Sequence, residues 1–136
     1  MQYASSLGRN PEATYRQIDV AGRTSAADPH QLVQLLYEEL VRSLSIVAIA
    51  IDNGNHAIKS DKTTRALAIL FALEAGLDFE RGGDISVTLA RLYRGARKTI
   101  VEASLGSDPK PFLDVARSLG EIAAAWRTVK SAAAAG

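Results

Sequence analysis

Apolar residues recur at spacings of three and four from position 32 onward, beginning with Leu32, Leu36, Leu40, Leu44, Val47 and Ile51. This spacing lines up side chains along one face of an α-helix. Just ahead of it, "ADPHQL" places Asp28 at an N-cap, Pro29 at the first helical position and Gln31 three residues after the cap, which completes a capping box. A first helix therefore begins at Asp28 and ends near "DNGN". A second line, Ala66, Leu70, Leu73 and Leu77, predicts a helix that starts near Ser60 or Asp61 and is stopped by Gly82 and Gly83. The third carries Ile85, Leu89, Leu92, Ala96, Ile100 and Ala103, then breaks at "LGSDPKP"; the fourth carries Phe112, Val115, Leu119, Ile122, Trp126 and Val129. No stretch alternates with the period of a strand. Four amphipathic runs joined by short connections predict an all-α fold, an antiparallel four-helix bundle over residues 28–131. A partly ordered N-terminal arm (1–27) precedes it and a frayed alanine-rich tail (132–136) follows.

Two segments carry more apolar surface than a bundle of this size needs. A half-exposed helix requires about three apolar residues per heptad, yet "IVAIAI" (46–51) and "ALAILFAL" (66–73) are apolar on every side. Either the N-terminal arm covers the excess, or another molecule does, or the small alanines let both runs pack into a close core. Grooves between amphipathic helices accept an apolar helix from a partner chain, and the same grooves could close a homodimer. Periodicity does not choose between these.

Composition narrows the field. The chain has 136 residues, enough for one core and too few for two ordinary domains. Sixteen Lys and Arg against fifteen Asp and Glu leave a formal charge of +1, which gives no general field for nucleic acid or an anionic membrane. There is no cysteine, so disulfides and thiolate sites are excluded, which suits a reducing cytoplasm. The opening "MQYASSLGRN" lacks the basic segment and apolar core of a secretory leader. The apolar runs fall short of the roughly 20 residues that span a bilayer. A soluble, cytoplasmic protein without membrane insertion is expected.

The stretch "LDFERGGDIS" (77–86) invites a chemical reading, because paired glycines stand among Asp78, Glu80 and Asp84. It lacks the strand and the Lys-Ser/Thr of a phosphate loop, and Gly82 stands where a calcium loop needs a ligand. It reads instead as a hinge, in which one glycine closes the second helix in the left-handed conformation and Asp84 caps the third. His30 at a helix start and His56 in a loop lack the Glu-x-x-His spacing of a di-metal bundle. No nucleophile and base can be paired, so neither an enzyme nor a cofactor is expected. Arg91, Arg94, Arg97 and Lys98 share an outer face of the third helix; they read as a solvated face or as a contact for an acidic partner, with no aromatic residues interleaved to stack on bases.

Taken together, "ADPHQLVQLLYEE", "LDFERGGDI", "LARLY" and the late Trp126 resemble the bacterial flagellin export chaperone family, FliS, in register from about Tyr15 to Val129. The resemblance implies a four-helix bundle with an N-terminal cap, and a cytoplasmic, non-enzymatic chaperone. Such a chaperone binds the disordered C-terminal segment of flagellin in apolar grooves, prevents premature polymerisation and aids delivery to the flagellar type III export apparatus, contacting export-gate components. Onto this sequence it carries Tyr15 as a displaceable cap and Tyr37, Leu92 and Tyr93 as groove anchors; Leu89 is a further candidate anchor, and Ile69 and Phe71 are candidates on the exposed side of the second helix. Tyr37, Leu89 and Leu92 equally fit the inward stripes. One departure bears on client contacts: Arg94, Gly95 and Ala96 follow Tyr93, so the second tyrosine usual there is missing. A homodimeric adaptor bundle without a flagellin client is the alternative reading.

Overall fold

The computed structural model describes residues 28–135, with side chains through Thr128. The arm, with Tyr15, lies outside the described residues, as do the Val129 side chain and those of the alanine tail. Four helices follow in order: α1 (Pro29–Asp52), α2 (His56–Ala75), α3 (Phe79–Ser104) and α4 (Lys110–Ala135). α1 opens on the expected capping box, in which the Gln31 amide donates to Asp28 Oδ1 at 2.7 Å and the Asp28 amide donates to Gln31 Oε1 at 3.3 Å.

The second helix starts earlier than the apolar pattern indicates. Asn55 is its N-cap, with Oδ1 accepting from the Ile58 amide at 3.1 Å, so His56 is the first helical residue and does not lie in a loop. The reason is physical: residues 56–58 are all exposed, so this turn has no inward side chain to register in a periodicity. Gly54, at φ +68°, makes the turn that joins the two helices.

The double glycine also plays a different part from the one expected. α2 ends at Ala75, ahead of the glycines, and the α3 cap is Asp78 rather than Asp84. Asp78 Oδ1 accepts from the amides of Glu80 and Arg81, both at 3.1 Å. Residues 79–82 form a first turn, and Gly83 then breaks the helix with φ 50° and ψ −124°. Across this kink the Ser86 hydroxyl donates to the Asp78 carbonyl at 2.9 Å, and a Cβ on Gly82 would overlap that hydroxyl. Each glycine thus has its own requirement, one of backbone angle and one of space. Gly83→Ala is expected to cost about 1–2 kcal/mol, the penalty of a side chain at positive φ. Urea denaturation measures it, and an unchanged midpoint would refute the strain argument.

α1 is central, packed against α2 on one side and α4 on the other; α3 packs on α2 and only lightly on α4. The helix ends report the antiparallel order. Lys59 near the start of α2 donates to the carbonyls of Ser104 (3.0 Å) and Gly106 (2.7 Å) at the end of α3. Trp126 near the end of α4 donates Nε1–H to the His30 carbonyl at the start of α1, at 3.2 Å. The core is built on Tyr37, Leu40, Leu44, Ile69, Leu70, Ile100, Phe112 and Leu119, all fully buried. Burying each aliphatic side chain contributes roughly 1.5–3 kcal/mol.

Two expected faces turn out differently. Ile69 is fully buried whereas Phe71 is 44% exposed; two residues apart on a helix is about 200° of rotation, so they cannot share a side. Ile69 therefore leaves the exposed set. In α3 the inward line is Ser86, Ala90, Tyr93, Ala96 and Ile100, while Ile85 is 70% exposed and Leu89 and Leu92 are half-buried. Polar pins at Ser86 and Tyr93 turn the helix so that small residues meet the core and larger apolar ones sit on the shoulder.

Candidate functional site

Light packing between α3 and α4 leaves an open groove of about 380 Å³. Its α3 wall is Leu92, Gly95, Ala96 and Thr99; its α4 wall includes Val115, Ser118 and Leu119. The groove is predominantly apolar because both inward stripes diverge here. Leu119 and Ala96 reach its floor from the core, and Leu92 and Val115 are the half-buried shoulders. Arg91 stands at one rim and Asp114 at the other. Asp114 is held by Lys110 (3.0 Å) and Arg117 (3.4 Å), so the α4 rim carries no net negative charge. Arg91 has no ion-pair partner among the described residues.

A second cleft, of about 470 Å³, lies between α2 and α3, where Lys59, Thr63 and Leu67 face Val101. One turn along α2 from Leu67, Phe71 presents its ring to solvent with the Arg97 guanidinium 6.0 Å from the ring centroid. Arg97 and Arg94 both reach Glu74, each at 2.6 Å. Burial alone would raise the Glu74 carboxyl, but the hydrogen bonds and charges of the two arginines outweigh it and hold the group below the usual carboxylate range. The basic row of α3 is therefore divided: two cations are bound to α2, and Arg91 and Lys98 remain on the surface.

Tyr37 and Tyr93 lie away from either opening. Both are buried, and their hydroxyls hydrogen-bond to each other across the core, linking α1 to α3. Burial pushes the Tyr37 hydroxyl up despite that bond; Tyr93 is also raised, first by burial and then by the charge and hydrogen bond of Tyr37. Both phenolic protons are thus retained in the fold where unfolded tyrosines ionise, near pH 10. Stability from this source is complete below pH 10 and falls as pH rises above it, by up to about 1.4 kcal/mol per pH unit for each group. Urea midpoints from pH 9 to 11 should fall more steeply for the parent than for the Tyr37→Phe/Tyr93→Phe double variant. Parallel curves would refute the linkage.

Of the candidates from sequence, the structure brings Leu92 to the α3–α4 groove and places Leu89 half-buried on the same helix, packed against the core. Phe71 is exposed on the α2–α3 side, Ile69 is in the core, and the two tyrosines form an internal link. Gly95, Thr99, Val115 and Ser118 were absent from the candidate set, although the glycine in the middle of α3 was a visible signal. At the end of the bundle where the arm joins, the His30 and Trp126 rings stack at 4.2 Å with 9° between planes. Among the described residues no three His, Asp or Glu side chains gather as a metal site, and no helix is long and apolar enough to cross a membrane.

Residues 11–133 match the family described as "Flagellar protein FliS". The flagellar secretion chaperone FliS of Vibrio cholerae is 34% identical over 112 residues, 82% of each chain. That of Salmonella typhimurium is 30% identical over 116 residues, 85% of this chain and 86% of the other. The flagellar secretion chaperone FliSB of Pseudomonas aeruginosa is 30% identical over 112 residues, covering 82% and 89% respectively. With a family match over residues 11–133 and relatives 30–34% identical over most of its length, the chain belongs to the FliS family of flagellar secretion chaperones, which are not enzymes.

Proposed function

We propose that this chain is an export chaperone that binds the disordered C-terminal segment of flagellin and keeps it from polymerising before delivery to the flagellar export apparatus. The observation that carries the reading is the α3–α4 groove, an open apolar channel between two helices that pack only lightly. A disordered segment that folds as a helix in such a channel offsets its ordering entropy by removing its own apolar face and the groove from water. Phe71, Ile49 (59% exposed) and Val101 are further exposed apolar side chains outside the groove, which fits a client that wraps more than one face. Contact with export-gate components would follow from the same role, after loading.

Titration calorimetry with the C-terminal segment of flagellin from the same organism tests the proposal. A one-to-one complex with a large negative heat-capacity change is expected, the mark of apolar burial coupled to folding. A folded chain that binds no flagellin segment would overturn it, and self-association of that chain would favour the homodimeric adaptor instead.

A further inference from the structure

Gly95 lies within a long helix where its own chain gives no reason for it. It is exposed, its φ is not positive, and a Cβ placed on it would meet no atom within 4 Å. Glycine is the least favourable residue in a helix interior apart from proline, so here it lowers the stability of α3 without easing any internal contact. What it does is enlarge an opening. Leu92, Gly95, Ala96 and Thr99 stand at i, i+3, i+4 and i+7, the diamond of four side chains that receives a knob from a facing helix. With glycine and alanine at its two middle corners, this hole is wide, and α4 does not fill it.

We propose that this hole takes one large apolar side chain, leucine-sized or aromatic, from a client helix lying between α3 and α4, and that Arg91 pairs with a carboxylate on the same helix. The charge balance of the rim selects that partner: among the described residues Arg91 is unpaired, and the one carboxylate lining the groove, Asp114, is already held by Lys110 and Arg117. The assignment rests on the reading of the groove as the flagellin site and adds which kind of side chain it selects.

The test measures the affinity of the flagellin C-terminal segment together with the thermal midpoint of each free variant. Gly95→Ala is expected to raise the midpoint by about 2–5 °C through helix propensity, yet weaken binding severalfold. Gly95→Leu fills the hole and should weaken binding at least tenfold while the chain stays folded. Gly120→Ala, at a helical glycine that also faces open space but does not line the groove, should raise the midpoint and leave affinity unchanged. Arg91→Glu should weaken binding about fivefold at low salt and less at high salt. In the segment, truncating each large apolar residue in turn should reveal one whose loss matters to the parent and not to Gly95→Leu, the signature of direct coupling. If the parent binds and both Gly95 variants match it, or if Gly120→Ala weakens binding equally, the hole is not the selector and the flagellin reading stands alone. If the folded parent does not bind, both fall.

Discussion

Tyr93→Ala is expected to lower the unfolding free energy by about 3–5 kcal/mol, the largest single effect of any substitution considered. Truncating a buried aromatic ring forfeits its transfer energy and leaves a cavity, and that pair of terms alone has this magnitude. The orphaned partner hydroxyl places the cost toward the upper end of that range. Tyr93 and Tyr37 satisfy each other inside the core, so removing one leaves the other with no water to bond. A cycle of phenylalanine variants separates the two contributions. Either single change, Tyr37→Phe or Tyr93→Phe, should cost about 1–3 kcal/mol because it orphans a buried hydroxyl. The double change should cost less than the sum and come close to the parent, since it removes both polar groups while keeping both rings. Additive single effects, measured by urea denaturation, would show that the hydroxyls do not depend on each other. These tyrosines hold α3 to α1, and that attachment orients the Leu92 side of α3 toward the groove.

Leu92→Glu is expected to weaken binding of the flagellin segment by about 2–4 kcal/mol, or roughly 30- to 1,000-fold, the scale of an interface hot spot. Leu92 forms the apolar shoulder of the groove, and a carboxylate there would be desolvated beneath the client helix. Because Leu92 also touches the core, circular dichroism and a thermal scan must accompany the titration. Phe71→Glu provides the comparison: its ring stands on the other side of α3 from the groove, against Arg97, so its change should cost less binding than Leu92→Glu. Equal losses would place the main client contact on the α2–α3 face, and unchanged affinity for Leu92→Glu in a folded chain would remove the groove from the binding surface.

Much of the bundle was legible because its signals are local. The capping box at Asp28 and Gln31 depends on residues three apart, and the lines Leu36, Leu40, Leu44 and Leu70, Leu73 follow from helical period alone. Pattern and structure part where the bond or contact that sets the geometry leaves no mark in hydropathy. The α3 face is turned by Ser86 reaching the Asp78 carbonyl and by Tyr93 reaching Tyr37, and neither bond leaves a trace in hydropathy. The Asn55 cap went unseen since the turn it starts is exposed throughout. Ile69 and Phe71, adjacent in an all-apolar run, required the packed helix to say which of them points inward.

By itself the sequence determined the helical class, the number of helices, one helix start and the family motifs, all consequences of short-range spacing and capping chemistry. Only the tertiary structure decided that the motif tyrosines are an internal tie, that the paired glycines serve a kink within α3, and that α3 and α4 stand apart with Gly95 between them. The physical reason is that a groove is a property of two surfaces at once. Its width depends on how α1 and α2 hold the neighbouring helices, and no window along one chain segment contains that distance.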